Sequence, residues 1–131
     1  MFKVGTDIVE IDRIKKSAQR QSFVERVYSP QEREMFEEKS FPYPSMAGNW
    51  AAKEAFSKAL GTGVRDFKLA EVEVLRDELG APYIKLSGDA EKIAKKMGLG
   101  FAVSISHSEN YATAVVLAYT QESRKGSVSD D

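Results

Sequence analysis

Three kinds of side chain in this sequence can do chemistry on a charged substrate. Asp7 and Glu54 offer carboxylates, Lys53 and Lys58 offer ammonium groups, and His107 is the only imidazole. Glu54 and Lys58 stand four residues apart in a stretch, Trp50 to Leu60, that favours helix, so both can point into one shared space. Asp7 is far away in sequence, near the end of the first apolar run. Two carboxylates brought together repel unless a cation sits between them. With one histidine and no cysteine, a His- or Cys-built zinc site within one chain is excluded. Oxygen donors remain, which suit a hard ion such as Mg2+. Such an ion binds phosphate oxygens, and Lys58 can neutralise further charge on a transferring phosphoryl group.

His107 lies between Ser106 and Ser108. A Ser–His pair invites a hydrolase reading, but there is no G-x-S-x-G elbow, and neighbours in a strand point to opposite faces. The histidine can therefore be a base, a phosphate donor or a hydrogen-bonded structural residue. Gly61-Thr62-Gly63 lacks P-loop spacing, although its backbone N–H groups can meet an anion; a helix cap and turn is the competing reading. Arg13, Lys16 and Arg20 give a positive face to a chain of net charge -1, a face able to receive an acidic partner.

The elements that must position these groups follow from periodicity. Phe2 to Val9 alternates as a strand, with Gly5 leaving room on the face that carries Asp7. A helix is expected over Ile11–Arg20, with Ile11, Ile14 and Ala18 inside. A short one follows after the capping-box pattern Ser22–Glu25, and another after Ser29-Pro30-Gln31-Glu32. Phe41-Pro42-Tyr43-Pro44 breaks the chain before the central helix, for which Ser45 is a plausible cap. That helix places Ala52, Ala55, Phe56, Ala59 and Leu60 inward, with Trp50, Lys53, Glu54, Ser57 and Lys58 on the other side. Strands are expected at Leu69–Arg76 and Pro82–Leu86, and a helix at Asp89–Met97. The clearest hairpin joins Phe101–His107 to Tyr111–Tyr119, the second strand being central. The fold class is α+β, with helices packed against one antiparallel sheet.

At 131 residues the chain suits one domain, expected over 1–120, with a polar and disordered tail at 121–131. The net charge argues against bulk nucleic-acid binding. No apolar run approaches the ~18 residues of a membrane span. The first residues carry Lys3, Asp7 and Glu10 and do not read as a secretory signal. With no cysteine, this fits a cytoplasmic location.

Gly5-Thr6-Asp7-Ile8, Trp50-Ala51-Ala52-Lys53-Glu54-Ala55-Phe56-Ser57-Lys58-Ala59 and Ser104-Ile105-Ser106-His107 resemble the motifs of the holo-acyl-carrier-protein synthases. These are small bacterial 4′-phosphopantetheinyl transferases that serve fatty acid biosynthesis. The resemblance covers nearly everything from Phe2 to about Tyr119. It implies transfer of 4′-phosphopantetheine from coenzyme A to a serine of apo-acyl carrier protein, with adenosine 3′,5′-bisphosphate released. It further implies that Asp7 and Glu54 hold Mg2+ with the pyrophosphate, and that Lys58 contacts the phosphate under attack. Glu54 is the implied acceptor of the serine proton. His107, with Lys53 and Gly61, is implied in the coenzyme pocket, and Arg13, Lys16 and Arg20 in carrier-protein docking. A homotrimer with interface active sites is also implied, with Trp50 and the Phe41–Tyr43 loop near a neighbour or the nucleotide. One departure stands out. Many relatives carry arginine immediately before the aromatic of the middle motif, where this chain has Asn49, so the 3′-phosphate needs other contacts, such as Lys53 or His107. A magnesium-dependent phosphoesterase and a non-catalytic coenzyme A-binding oligomeric module are the alternative functions.

Overall fold

The computed structural model describes residues 2–61 and 66–121; all of the expected tail but Gln121, and most of the Gly61–Gly63 exit, lie outside them. Strand β1 (Phe2–Glu10) alternates as its sequence does: Gly5 and Val9 are buried, Asp7 is half-buried, and Phe2, Val4, Thr6 and Ile8 are exposed. Helix α1 (Ile11–Ser17) buries Ile11 and Ile14. It stops three residues earlier than expected. Gln19 N–H bonds to Lys16 O and Arg20 N–H to Ser17 O, i→i−3 bonds that tighten and end the helix. Arg20 thereby becomes the N-cap of α2 (Gln21–Val27), and the expected Ser22–Glu25 box does not form. Helix α3 (Pro30–Glu37) starts as its sequence dictates. Ser29 Oγ accepts from Glu32 N–H at 3.1 Å, and Ser29 N–H donates to Glu32 Oε1 at 3.0 Å.

Helix α4 (Tyr43–Leu60) begins two residues before Ser45, which is not its cap. Met46 N–H bonds to Pro42 O, and Pro44 falls in the first turn, where a missing N–H costs nothing. Gly61 closes the helix in the left-handed region, φ 87°. Leu69–Glu71 forms a 3-10 turn rather than the first part of a strand. Glu71 explains this. Its carboxylate accepts from Lys68 N–H and Ala90 N–H, and its carbonyl accepts from Ser87 N–H, which draws the segment out of line. Strands β2 (Val72–Arg76) and β3 (Pro82–Leu86) pair antiparallel, α5 (Gly88–Met97) follows, and β4 (Leu99–His107) with β5 (Tyr111–Thr120) makes the expected hairpin.

The architecture is α+β with helices on antiparallel sheet. The strands form two sheets rather than one: β1-β5-β4, with β5 central as expected, and a separate β2-β3 ribbon. Helix α4 lies across one face of the three-stranded sheet. Glycines set how close it lies. A Cβ at Gly5 would fall 2.7 Å from Ala59 N and nearer still to Ala55 O, so the strand meets the helix backbone directly. The room foreseen at Gly5 is taken by α4. A Cβ at Gly48 would meet Ile105 Cγ2 at 2.8 Å. The opposite face of the sheet carries Phe2 (73% exposed), Val4 (61%), Ile8 (61%), Tyr111 and Val115 in solvent.

Candidate active site

β1 is an edge strand, and α4 crosses its inner face. The close contact at Gly5 brings the Glu54–Lys58 flank of the helix to the Asp7 end of the strand. Lys58 Nζ donates to Thr6 O at 2.9 Å and to Asp7 Oδ1 at 3.2 Å, which ties α4 to β1. Asp7 is well covered, whereas Lys58 is more than half exposed. Both line a groove of about 480 Å³ that runs onto the outer sheet face past Thr6, Ile8, Ser104, Ser106 and Thr113.

Glu54, half-buried, accepts no hydrogen bond among the described residues. Its carboxyl is held above the ordinary carboxylate range, first by burial and then by the nearby negative charge of Asp7; Lys58 and Arg13 act in the opposite sense. The structure thus brings Asp7, Glu54 and Lys58, and with them Arg13, into one electrostatic neighbourhood. The charge of one carboxylate is felt by the other, and Lys58 is bonded to Asp7 between strand and helix. Such a donor set fits a hard divalent ion. Among the described residues no group of three or more His, Cys, Asp or Glu side chains is assembled.

Two expected site residues, Lys53 and Gly61, are placed differently. Lys53 was grouped with the outward side of the helix, yet it is fully buried. Its ammonium donates to Glu32 Oε1 at 2.7 Å, Leu69 O at 2.9 Å and Val72 O at 2.6 Å, which uses all its donors inside the protein. It makes no contact in the groove. Ser57, also grouped outward, is buried behind it and donates to Lys53 O. The Gly61 N–H is taken by Ser57 O at 3.1 Å, a helix-closing bond rather than an anion contact. His107 is exposed at the end of β4 and lines a second groove of about 400 Å³ with Ile8, Ser106 and Thr113, residues it shares with the first. The two grooves adjoin along those residues, and His107 does not itself line the Asp7–Lys58 groove.

Asn49 is also internal. Its amide donates to Glu32 Oε2 and Val74 O, both at 2.9 Å, and its carbonyl accepts from Arg76 at 3.0 Å. Sequence reasoning missed this cluster, although the capping box had already named Glu32. The signal lay in Asn49, Lys53 and Ser57, spaced four apart on one stripe of α4. Trp50 is half-buried against Phe23, ring centres 5.7 Å apart, and Arg13 lies over its ring at 5.8 Å. Arg13, Lys16 and Arg20 are all exposed, but only the first two stand on α1.

Residues 3–116 match the family described as ACPS, the 4′-phosphopantetheinyl transferase superfamily. This chain belongs to that family. The holo-[acyl-carrier-protein] synthase of Caldanaerobacter subterraneus subsp. tengcongensis is 44% identical over 117 residues, covering 88% of this chain and 92% of that protein. Among solved structures, the Chronobacterium ammoniagenes ACPS-CoA complex superposes with a TM-score of 0.82 at 35% identity, over 93% of this transferase-family chain and 99% of the other. A holo-(acyl-carrier-protein) synthase from Bacillus anthracis in complex with CoA (3′,5′-ADP) gives 0.78 at 32% identity, over 91% and 96%.

Proposed function

We propose that this chain transfers 4′-phosphopantetheine from coenzyme A to a serine hydroxyl of apo-acyl carrier protein and releases adenosine 3′,5′-bisphosphate. One observation carries the reading: Asp7 and Lys58 line a groove, within charge reach of Glu54, in a member of the phosphopantetheinyl transferase family. Relatives of full length are holo-[acyl-carrier-protein] synthases, and similar solved structures hold coenzyme A, which supports the same substrates here.

Asp7 and Glu54 would hold Mg2+, whose charge stabilises the diphosphate oxygens when it is bound. The chain's own groups do the rest. Lys58, anchored by Thr6 and Asp7, is held at the groove with its charge toward the phosphate under attack. Glu54 would receive the serine proton, since burial and Asp7 both raise its proton affinity. With Lys53 and Asn49 turned inward, His107 is the remaining expected contact for the 3′-phosphate. His107 lines the adjoining groove rather than the Asp7–Lys58 groove itself, and the outer sheet face exposes Phe2, Val4, Ile8, Tyr111 and Val115. Both observations support a homotrimer in which copies meet through that face and His107 of one copy completes the site of another. Arg13 and Lys16 on α1, with Arg20 at the following turn, form the docking face for the acidic carrier protein. No helix of the described residues is long and apolar enough to cross a membrane.

The test mixes the protein with coenzyme A, Mg2+ and apo-acyl carrier protein, then weighs the carrier intact. Gain of the phosphopantetheine arm is expected, and Asp7→Ala or Glu54→Ala abolishes it. Coenzyme A cleavage without carrier labelling would point to a phosphoesterase, and binding without products to a non-catalytic module.

A further inference from the structure

Lys53 and Glu32 form an ion pair of 2.7 Å in which neither side chain is exposed to solvent. Burying two charges is expensive, and a buried pair is weak evidence for stability in itself. The local network is nevertheless complete. Glu32 accepts from Ser29 N–H, Lys53, Asn49 and Val74 N–H, while Lys53 also caps Leu69 O and Val72 O. Four segments are joined at one point: the start of α3, the middle of α4, the 3-10 turn and β2. No atom of this cluster touches the groove.

The position of Lys53 on α4 gives the cluster a second meaning. At about 100° per residue, Ala55 lies nearly opposite Lys53, and Trp50, Glu54 and Lys58 occupy the flank between them. The Ala55 side is pressed on the backbone of β1 at Gly5. The Lys53 side is held by directional, charge-assisted bonds. A close backbone contact sets the distance of a helix from its neighbour but restrains rotation weakly. Bonds on the far side restrain rotation.

We propose that the Lys53–Glu32 pair, with Asn49, is a positioning device for the transfer reaction: it sets the rotation of α4 about its axis, and so the aim of Glu54 and Lys58 at Asp7. This rests on the transfer reading given above. With side chains a helix is about 10–12 Å across, so a turn of about 10° displaces the Glu54 carboxylate by about 1 Å. A misplacement of that order is able to lower a rate by about 100-fold.

The experiment compares Glu32→Gln, Lys53→Met and Asn49→Ala with the unaltered protein. It reads kcat, KM for coenzyme A, thermal stability and the fluorescence of Trp50, the only tryptophan and a reporter on the same flank of α4. Each variant that remains folded by circular dichroism is expected to lose about 10- to 100-fold in kcat, with KM for coenzyme A within about threefold and a shifted Trp50 emission. Asn49→Ala leaves the charge pair intact, so it stays testable if the charge-removing variants unfold. A lowered melting temperature with unchanged kcat and unchanged emission would make the cluster purely structural and overturn the proposal. If the unaltered protein labels no carrier, the transfer reading fails instead; the Trp50 emission still reports whether the helix has turned.

Discussion

Gly5→Ala tests the contact that assembles the site. The added methyl would sit 2.7 Å from Ala59 N and closer to Ala55 O, both backbone atoms that cannot swing aside. Restoring an ordinary carbon–oxygen approach of about 3.3–3.6 Å requires β1 and α4 to separate by roughly 1 Å or more. Overpacking of this kind costs about 1–3 kcal/mol. The better intrinsic strand propensity of alanine returns only about 0.5–1 kcal/mol. For a chain between the size classes usually measured, each kcal/mol lowers the melting temperature by about 3–6 °C, so a fall of up to about 15 °C is expected. The same separation pulls Asp7 from Glu54 and strains the Lys58–Asp7 bond, so kcat should drop by about 100-fold in the molecules that remain folded. Thermal unfolding by circular dichroism, together with carrier labelling well below the new melting temperature, reads both effects. An alanine variant with native melting and native kcat would refute the argument that the backbone of β1 must touch α4 for the carboxylates to meet.

Other expectations follow from the same geometry. Because the folded-state pKa of Glu54 is raised from 4.5, the native state binds the proton more tightly than the unfolded chain. Its contribution therefore favours folding at low pH and is lost as pH rises from about 4.5 through the folded value. Glu54→Gln should flatten that part of the urea-unfolding profile, and an unchanged profile would sink the assignment. Reversing Arg13, Lys16 and Arg20 to glutamate is expected to raise KM for the carrier protein at low salt while sparing KM for coenzyme A; equal kinetics would remove the docking face. Val115→Asp places a charge in the middle of the exposed sheet face and should shift sedimentation toward the monomer with loss of transfer. A monomeric unaltered protein that still transfers would remove the proposed trimer.

Several features were legible in the residues. The alternation of β1, the Ser29–Glu32 cap and the hairpin of β4 and β5 are local or periodic, and hydrogen-bonding rules applied to neighbouring positions find them. Asp7 was legible as a candidate because Gly5 beside it needed a reason, but only the fold supplied the reason, the backbone of α4. What went astray was decided by partners distant in sequence. A lysine on the polar side of a helix reads as solvated. Lys53 is buried because Glu32, 21 residues earlier, and the carbonyls of Leu69 and Val72 surround its ammonium. The strand expected at Leu69 yields to Glu71, whose bonds run to Ser87 and Ala90. The sequence by itself determined which side chains are candidates for the chemistry and which lie near each other along the chain. The tertiary structure decided which charges meet solvent and which meet one another, because the cost of burying a charge depends on partners that periodicity cannot see.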